Sequence, residues 1–386
     1  MDFALTEQQS AFVNSVKQFV EKNFKPYAAL WDREKQFPKQ TLAEAGKLGL
    51  MALYCPLESG GLDLNRQDTS IIVEELAKGC TSTAAFITIH NMAINMLMRY
   101  GQARLIEEWG PELCAGTKLA SYCLTEANAG SDAASLATKA ELRGDFYIVQ
   151  GSKAFISGAG ETDILITVVR TGGEGSKGLS VIAIPANLPG IRFGKNEEKM
   201  GWNSQPTRAI YFDGVQVPVS HLLGEEGQGF KIAMSALDGG RINIASCSIG
   251  TAQAALEAAT TYVQERRQFN SAISEFQASQ FKLADMATQL VAARQLVRLA
   301  AYKLDLRLAE ATTYCAMAKR FATDVSFDVC NDALQLHGGY GYIKEYPLER
   351  YVRDSRVHQI LEGTNEIMRL IIGRNILRKG GLDLIQ

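Results

Sequence analysis

The order of the hydrophobic periods most constrains how this 386-residue chain can fold. Apolar residues first recur at helical spacing, then form short β-branched runs between glycine-rich turns, and then return to helical spacing. A chain of this length exceeds the usual size of one domain. The pattern therefore predicts an α+β multidomain protein with an N-terminal α-helical domain (1–118), a middle β-barrel or sandwich domain (119–225) and a C-terminal helical bundle (226–386).

Individual segments give this prediction its detail. A Thr6-x-x-Gln9 capping pattern opens the first helix. Further helices are predicted over Thr41–Leu50, Asp68–Lys78 and Thr83–Tyr100, and strands over the runs beginning at Phe146, Ala154, Ile164, Leu179 and Ala209. The longest apolar stripe in the C-terminal part comprises Leu283, Met286, Leu290, Ala293, Val297 and Ala300, and such a stripe is normally core.

Charge and hydropathy exclude two classes of partner. The net charge is -2, the isoelectric point is about 6.2, and basic residues form no long run. These values give no electrostatic basis for binding nucleic acid or an anionic membrane. No apolar run is long enough to predict a membrane span.

Cysteine and histidine usage predicts neither disulfides nor a metal site. The seven cysteines are scattered without Cys-x-x-Cys spacing, and the four histidines lack metal-ligand spacing. This favours free buried thiols in a reducing compartment. The N-terminus has neither a signal sequence nor an Arg-rich presequence, so the sequence predicts a cytoplasmic chain or an already processed organellar one.

The stretch Tyr351–Arg374 contains the strongest candidate for catalysis, Glu362. This carboxylate follows Ile360-Leu361, precedes Gly363-Thr364, and lies just before a second amphipathic pattern. Apolar neighbours would desolvate it and raise its pKa, which would make it a usable general base near neutral pH. The alternative is a surface glutamate at a helix start, where the helix dipole favours anions.

The run Arg353-Asp-x-x-x-x-Gln-Ile-x-Glu362-Gly-Thr-x-Glu366 resembles the C-terminal signature of the acyl-CoA dehydrogenases. The order α, β, α is also that of the family's fold. The resemblance implies that Glu362 removes the α-proton of an acyl-CoA and that the Gly363 N–H binds the thioester oxygen. It further implies that Thr364 and Glu366 contact FAD and that Arg374 contacts the CoA moiety.

The stretch Tyr122-Cys-Leu-Thr-Glu-Ala-Asn-Ala-Gly-Ser-Asp132 is a second candidate. Its small residues could present backbone N–H groups to an anion or a ring edge, or form an ordinary turn. It is similar to the family's flavin-binding loop, except that Ala127 stands where proline is common. The resemblance implies that FAD contacts Tyr122, Leu124, Thr125 and Ser131, and that Ser131 also approaches the acyl-CoA.

Two further stretches lie where the family binds flavin and CoA. Phe155 and Ser157 would share one side of a strand, either as part of a half-buried strand or beside a planar ring. The resemblance implies that Phe155 covers the flavin, where many members have Trp, and that Ser157 bonds near its N5. Asp238 and Arg241 would share one helix face as a surface ion pair; the resemblance makes them substrate contacts.

The remaining stretches are implied to reach an FAD bound mainly by a neighbouring subunit. Alone, they are consistent with solvated helix ends and a helix C-cap. By resemblance, the residues that contact this FAD are Arg266, Phe269, Gln277, Gln335, Gly338 and Gly339.

The resemblance covers nearly the whole chain and implies a reaction. Four stretches are similar to the branch of the family that converts isobutyryl-CoA to methacrylyl-CoA in valine catabolism: 81–92, 201–208, 240–247 and 353–363. It also implies an electron-transferring flavoprotein as acceptor and a homotetramer. Other specificities for short or 2-methyl-branched chains, an oxygen-using acyl-CoA oxidase and a non-enzymatic helical scaffold remain as alternatives.

Overall fold

The computed structural model describes residues 4–385. Its N-terminal part is helical, as predicted. The Thr6 hydroxyl accepts from the Gln9 N–H, and the Gln9 side chain accepts from the Thr6 N–H, both at 3.1 Å, so the capping box is formed. The helices of this part are α1 (Glu7–Asn23), α2 (Ala28–Arg33), α3 (Lys39–Lys47), α4 (Arg66–Gly79), α5 (Thr81–Tyr100) and α6 (Ala103–Cys114).

The middle part is a twisted sheet with the strand order β6-β7-β3-β2-β4-β5-β8, and β1 pairs with β4 in parallel. The runs at Phe146 and Ala154, predicted as separate strands, form one long strand, β3. The strands are β1 (Ala120–Cys123), β2 (Lys139–Arg143), β3 (Phe146–Ser157), β4 (Ile164–Arg170), β5 (Leu179–Pro185), β6 (Ile191–Phe193), β7 (Thr207–Pro218) and β8 (Leu222–Leu223), and a separate hairpin comprises β9 (Arg267–Gln268) and β10 (Ser271–Ala272).

The C-terminal part is a helical bundle around one very long helix, α7, which packs against α4, α8 and α9. The predicted stripe on α8 is confirmed, since Met286, Leu290, Ala293, Val297 and Ala300 are buried and Leu283 is half-buried against them. The helices here are α7 (Gly229–Glu265), α8 (Gln277–Asp305), α9 (Ala311–His337), α10 (Gly339–Tyr342), α11 (Leu348–Arg356) and α12 (Asn365–Ile376).

A buried polar network ties the C-terminal helices to the loop before β7. Asp354 accepts from the Trp202 N–H at 2.6 Å, and the Trp202 indole N–H donates to His358 Nε2 at 3.2 Å. Because Nε2 is an acceptor, the His358 proton lies on Nδ1, which is 2.7 Å from the Ser248 hydroxyl on α7. Burial lowers the pKa of His358 to about 3, so this ring stays neutral. The network thus fixes the segment that leads to Glu362.

The predictions about cysteines, metals and membrane spans can be compared directly with residues 4–385. All seven cysteines are free and buried. Within the described range, no group of His, Cys, Asp or Glu side chains is arranged to hold a metal ion. No helix in that range is both long and apolar enough to cross a membrane.

Candidate active site

Glu362 lies in a tight turn between the end of a short 3-10 turn (Val357–Gln359) and α12. Both Glu362 and Gly363 have left-handed backbone angles, with φ of 56° and 89°. A non-glycine residue pays roughly 1–2 kcal/mol for this conformation. With this backbone, the Glu362 side chain points toward Gly240 on α7.

The Glu362 carboxylate occupies space that a side chain at Gly240 would fill. A Cβ on Gly240 would clash with Oε2, so the glycine in the middle of α7 leaves a slot for this group. Oε2 is buried and accepts no hydrogen bond from any residue between 4 and 385. Desolvation by burial raises the pKa of Glu362 to about 7, against the opposing influence of Arg241 and Lys319.

Asp238 and Arg241 lie inside α7. Arg241 Nη1 donates to Asp238 at 2.6 Å, and their side chains are only 6% and 14% exposed, so they form a buried pair and not a surface one. The other Asp238 oxygen accepts from the Thr312 hydroxyl at 2.6 Å. Arg241 Nε is buried and has no partner in the described part of the chain, so one donor is free for a ligand.

The loop after β1 is held by a buried lysine on β3. Lys153 Nζ donates to Glu126 at 2.8 Å and to the Leu124 carbonyl at 3.0 Å. Glu126 also accepts the N–H groups of Ala137 and Thr138 at 2.7 and 2.9 Å. These bonds fix the shape of the loop that contains Thr125, whose carbonyl accepts from the Ala154 N–H.

Tyr122 brings this loop together with Glu362. Its hydroxyl is buried without a hydrogen-bond partner among residues 4–385. Burial raises the pKa of Tyr122, and the Glu362 carboxylate adds to that effect. The two groups therefore face the same region, between β1 and the turn before α12.

Phe155 and Ser157 lie beside this loop on β3. The strand has an extra residue between Lys153 and Ile156, where Phe155 adopts φ of 57°. Ile156 is buried, whereas Phe155 is 66% exposed and Ser157 is half-buried. An exposed aromatic side chain is thereby presented next to the loop at Thr125.

These features fit a flavin. A planar ring could cover the exposed face of Phe155, and the orphaned Tyr122 hydroxyl marks a place where a polar partner is missing. Leu124 packs at the edge of the neighbouring core, and Ser131 lies exposed near the end of the loop. The structure thus brings together the first group of predicted cofactor residues.

A second group surrounds a separate cleft of about 480 Å³. Its lining includes Arg266, Gln335, Gly338 and Gly339, which the sequence predicted, together with Tyr262 and Tyr340. Gly338 ends α9 with φ of 59°, and the Arg266 guanidinium lies 5.4 Å from the centre of the Tyr340 ring. A cation and aromatic rings beside exposed backbone fit a nucleotide.

Phe269 and Gln277 lie outside this lining. Phe269 is 90% exposed with φ of 52° and meets Phe276 edge-on at 6.3 Å. Gln277 is exposed at the start of α8. From Gly240 to Arg266 the helix runs 26 residues, roughly 39 Å at 1.5 Å per residue. The second cleft is therefore remote from Glu362 within one chain.

Three predicted residues have local roles in the structure. Thr364 is the N-cap of α12, where its hydroxyl accepts from the Ile367 N–H at 3.3 Å. Glu366 is exposed and lies 3.5 Å from Arg369, and Arg374 is exposed near the end of α12. The sequence analysis did not identify Gly240 as the residue that leaves space for the Glu362 carboxylate. It also did not identify Lys319, which lies among small apolar residues of α9 and is fully buried beneath the Glu362 turn.

Comparison with known proteins agrees with this geometry along the whole chain. Family profiles described as acyl-CoA dehydrogenase N-terminal, middle and C-terminal domains match residues 6–117, 121–215 and 227–377. The mitochondrial isobutyryl-CoA dehydrogenase of Bos taurus is 50% identical over 375 residues, which cover 97% of this chain and 90% of that protein. The mitochondrial isobutyryl-CoA dehydrogenase of Dictyostelium discoideum is 52% identical over 373 residues, covering 96% and 90%.

A solved structure extends the agreement to three dimensions. The butyryl-CoA dehydrogenase of Megasphaera elsdenii superimposes with a TM-score of 0.94 at 38% identity, covering 98% of this chain and 100% of that one. The predicted fold class is thereby confirmed. The chain belongs to the acyl-CoA dehydrogenase family and is an FAD-dependent oxidoreductase of that family.

Proposed function

We propose that this acyl-CoA dehydrogenase converts isobutyryl-CoA to methacrylyl-CoA, as in valine catabolism, with Glu362 as the base that removes the α-proton. The assignment of the base rests on Glu362 Oε2, which is buried without a hydrogen-bond partner among the described residues and belongs to a strained turn. The two relatives at 50% and 52% identity, both named isobutyryl-CoA dehydrogenase, support the choice of substrate.

Glu362 is suited to this step by its surroundings. Oε2 lies free in the slot at Gly240, so it can accept a proton without first breaking a hydrogen bond to the protein. A base with a pKa of about 7 is deprotonated in useful amounts near neutrality and still has a strong affinity for a proton. The α-proton therefore moves from carbon to the Glu362 carboxylate.

The turn also supplies donors for the charge that develops on the thioester oxygen. The backbone N–H groups of Glu362 and Gly363 have no acceptor among residues 4–385. They precede the N-terminus of α12, where the helix dipole favours negative charge. Aimed at the thioester oxygen, such fixed donors would stabilise the enolate-like transition state.

Residues of the β domain would hold the flavin of FAD: Tyr122, Leu124, Thr125, Phe155 and Ser157. Bound FAD would accept the β-hydrogen as a hydride. Thr125 and Ser157 would offer hydroxyl and backbone groups to the edge of the ring, while the exposed Phe155 would cover the ring face and limit access of water. Ser131, at the open end of the loop, would meet the phosphates of FAD and the CoA moiety.

The CoA moiety would meet the face of α7 near Arg241. Both Asp238 oxygens already accept hydrogen bonds, so Asp238 would act by orienting Arg241, whose Nε remains free. A guanidinium held this way is a strong donor to an anionic or carbonyl oxygen. Arg374 is exposed and could approach the same ligand from α12.

We propose that this protein is a homotetramer. The position of the second cleft, far from Glu362, supports an oligomer. Arg266, Gln335, Gly338 and Gly339 lie roughly 39 Å along α7 from the Glu362 site. An FAD molecule is much shorter than this separation, so the cleft would serve a cofactor held by another copy of the chain. The exposed Phe269 and Gln277 would contact that same cofactor.

Turnover also requires an external acceptor for the two electrons taken from the substrate. We propose an electron-transferring flavoprotein for this role. The protein surface around the bound FAD would determine how closely the flavin of the acceptor protein can approach it.

The rate should depend on pH through Glu362. Because the base works as the carboxylate, kcat/KM is expected to rise tenfold per pH unit below about pH 7 and to level off above it. The measurement is kcat/KM for isobutyryl-CoA between pH 5.5 and 8.5 with an artificial electron acceptor. A rate that stays constant down to pH 5.5 would contradict a base with a raised pKa.

The substrate assignment is tested by anaerobic titration of the FAD-loaded protein. Isobutyryl-CoA is expected to bleach the flavin absorbance, and its kcat/KM should exceed that of straight-chain butyryl-CoA. Bleaching by butyryl-CoA with much higher kcat/KM would keep the reaction but overturn the branched substrate. Rapid peroxide formation in air would instead favour an oxidase.

A further inference from the structure

Lys319 on α9 is a buried cation that is hydrogen-bonded to the turn containing Glu362. Its side chain is fully buried, and Nζ donates to the Gly363 carbonyl at 2.7 Å and to Asn365 Oδ1 at 2.9 Å. Both acceptors belong to the three residues after Glu362. A buried ammonium with two such bonds is strongly held in place, because leaving either site would cost desolvation without compensation.

The same cluster also attaches the residues before Glu362. Gln359 Nε2 donates to Asp324 Oδ1 at 2.8 Å, and Asn365 Nδ2 donates to the same oxygen at 2.7 Å. Asn365 Nδ2 also lies 2.9 Å from the Thr323 hydroxyl. Residues on both sides of the turn are therefore fixed to one surface of α9.

The turn needs such an anchor because its backbone is strained. Glu362 adopts a left-handed φ of 56°, which is strained for a residue with a Cβ, whereas Gly363 adopts its φ of 89° without that cost. Strained residues persist only where the surrounding structure holds them in place. The Glu362 side chain itself makes no hydrogen bond through Oε2 within the described residues, so the restraint must come from the neighbours in the chain.

We propose that Lys319 is a positioning residue for the reaction: through Gly363 and Asn365 it holds the 362–365 turn so that the Glu362 carboxylate stays in the Gly240 slot. This proposal rests on the role of Glu362 as the base. Lys319 itself does not touch the substrate; it acts through the backbone of the turn.

The charges around Lys319 come from several elements. Arg241 on α7 faces it with the same sign, whereas Glu362, Asp324 and Glu366 are the nearby anions; His358 is close and neutral. Burial and Arg241 lower the pKa of Lys319 to about 7. When protonated, Lys319 is one of two cations that lower the pKa of Glu362, so its removal should move the base to higher pKa.

The test compares FAD-loaded wild type with Lys319→Met and Lys319→Gln. Lys303→Met is the control, because Lys303, whose side chain is 13% exposed, pairs with Glu310 at 2.7 Å near the end of α8 and makes no bond to the Glu362 turn. Three quantities are measured: kcat and KM for isobutyryl-CoA, the pH profile of kcat/KM, and deuterium uptake by peptides that cover residues 357–368.

Lys319→Met is expected to lower kcat roughly 10- to 100-fold, as for a base displaced by about 1 Å, with KM changed less. Its acid limb should move to higher pH, and deuterium uptake should rise in 357–368 while the rest of the chain exchanges as in Lys303→Met. Lys319→Gln, which keeps a donor, should recover part of the rate and of the protection.

Unchanged kcat, pH profile and deuterium uptake in Lys319→Met would overturn the proposal. If Lys319→Met does not fold, Asn365→Ala removes the bonds of Asn365 to Lys319, Asp324 and Thr323, while Lys319 keeps its bond to the Gly363 carbonyl. A wild-type result for that variant would overturn the proposal equally. If wild type itself does not oxidise acyl-CoA, the proposed function fails, but faster exchange of the turn in the Lys319 variants still measures the anchoring.

Discussion

Glu362→Gln is expected to abolish bleaching of the flavin by isobutyryl-CoA on the timescale of wild-type turnover. Positioned general-base catalysis contributes roughly 10²–10⁴-fold, and glutamine cannot accept the α-proton. Because Glu362 Oε2 makes no hydrogen bond in the described structure, the substitution removes little that holds the fold together. Anaerobic stopped-flow absorbance measures the rate of flavin reduction in both proteins.

The control for this experiment is to measure whether the variant still binds FAD and acyl-CoA. Glu362→Gln should retain FAD and bind acyl-CoA with a Kd near that of wild type, since the amide fits the same slot at Gly240. A variant that still reduces its flavin within about tenfold of the wild-type rate would rule out Glu362 as the base. Loss of FAD would mean that the substitution had disturbed the turn and not only the chemistry.

Lys153→Met is expected to have the largest effect on stability. Removing one partner of a buried ion pair costs about 3–5 kcal/mol, and the lower end applies here because Glu126 keeps the N–H donors of Ala137 and Thr138. The loop at Thr125 should loosen as well, so FAD should dissociate more readily. Urea unfolding followed by flavin fluorescence measures both effects.

Lys282→Met provides the comparison. Lys282 pairs with Asp332 at 2.6 Å, but both side chains are about one third exposed, and such pairs contribute about 0–1 kcal/mol. Its unfolding midpoint should therefore stay close to that of wild type. Equal shifts for Lys153→Met and Lys282→Met would show that the buried pair does not hold the flavin loop.

Local periodicity predicted elements such as α8 well because they bury one face and expose the other. The stripe on α8, the capping box at Thr6 and the helix after Glu362 all follow from spacing within a few turns. The bulge in β3 does not, because an extra residue changes the pairing with β7 and leaves no mark in composition.

The site was predictable only where resemblance supplied the pairing of distant segments. Spacing alone left Glu362 as a base or a surface residue, since its desolvation depends on Gly240, which lies more than a hundred residues earlier in the chain. Lys319 could not be recognised for the same reason: its two acceptors lie on another element, 44 and 46 residues away. The contacts that tune the base are thus long-range, and no local pattern encodes them.

The burial of the cysteines affects how readily their thiols are oxidised. Burial raises the pKa of Cys123 and of Cys330 to about 12, so almost no thiolate forms at neutral pH. Because the thiolate is the species that oxidants and alkylating reagents attack, Cys123 and Cys330 should resist sulfenic acid formation and labelling in the folded chain. Incorporation of a thiol-specific reagent at Cys123 and Cys330 would then count the molecules that have unfolded around these side chains, and its rate would report the rate of that unfolding.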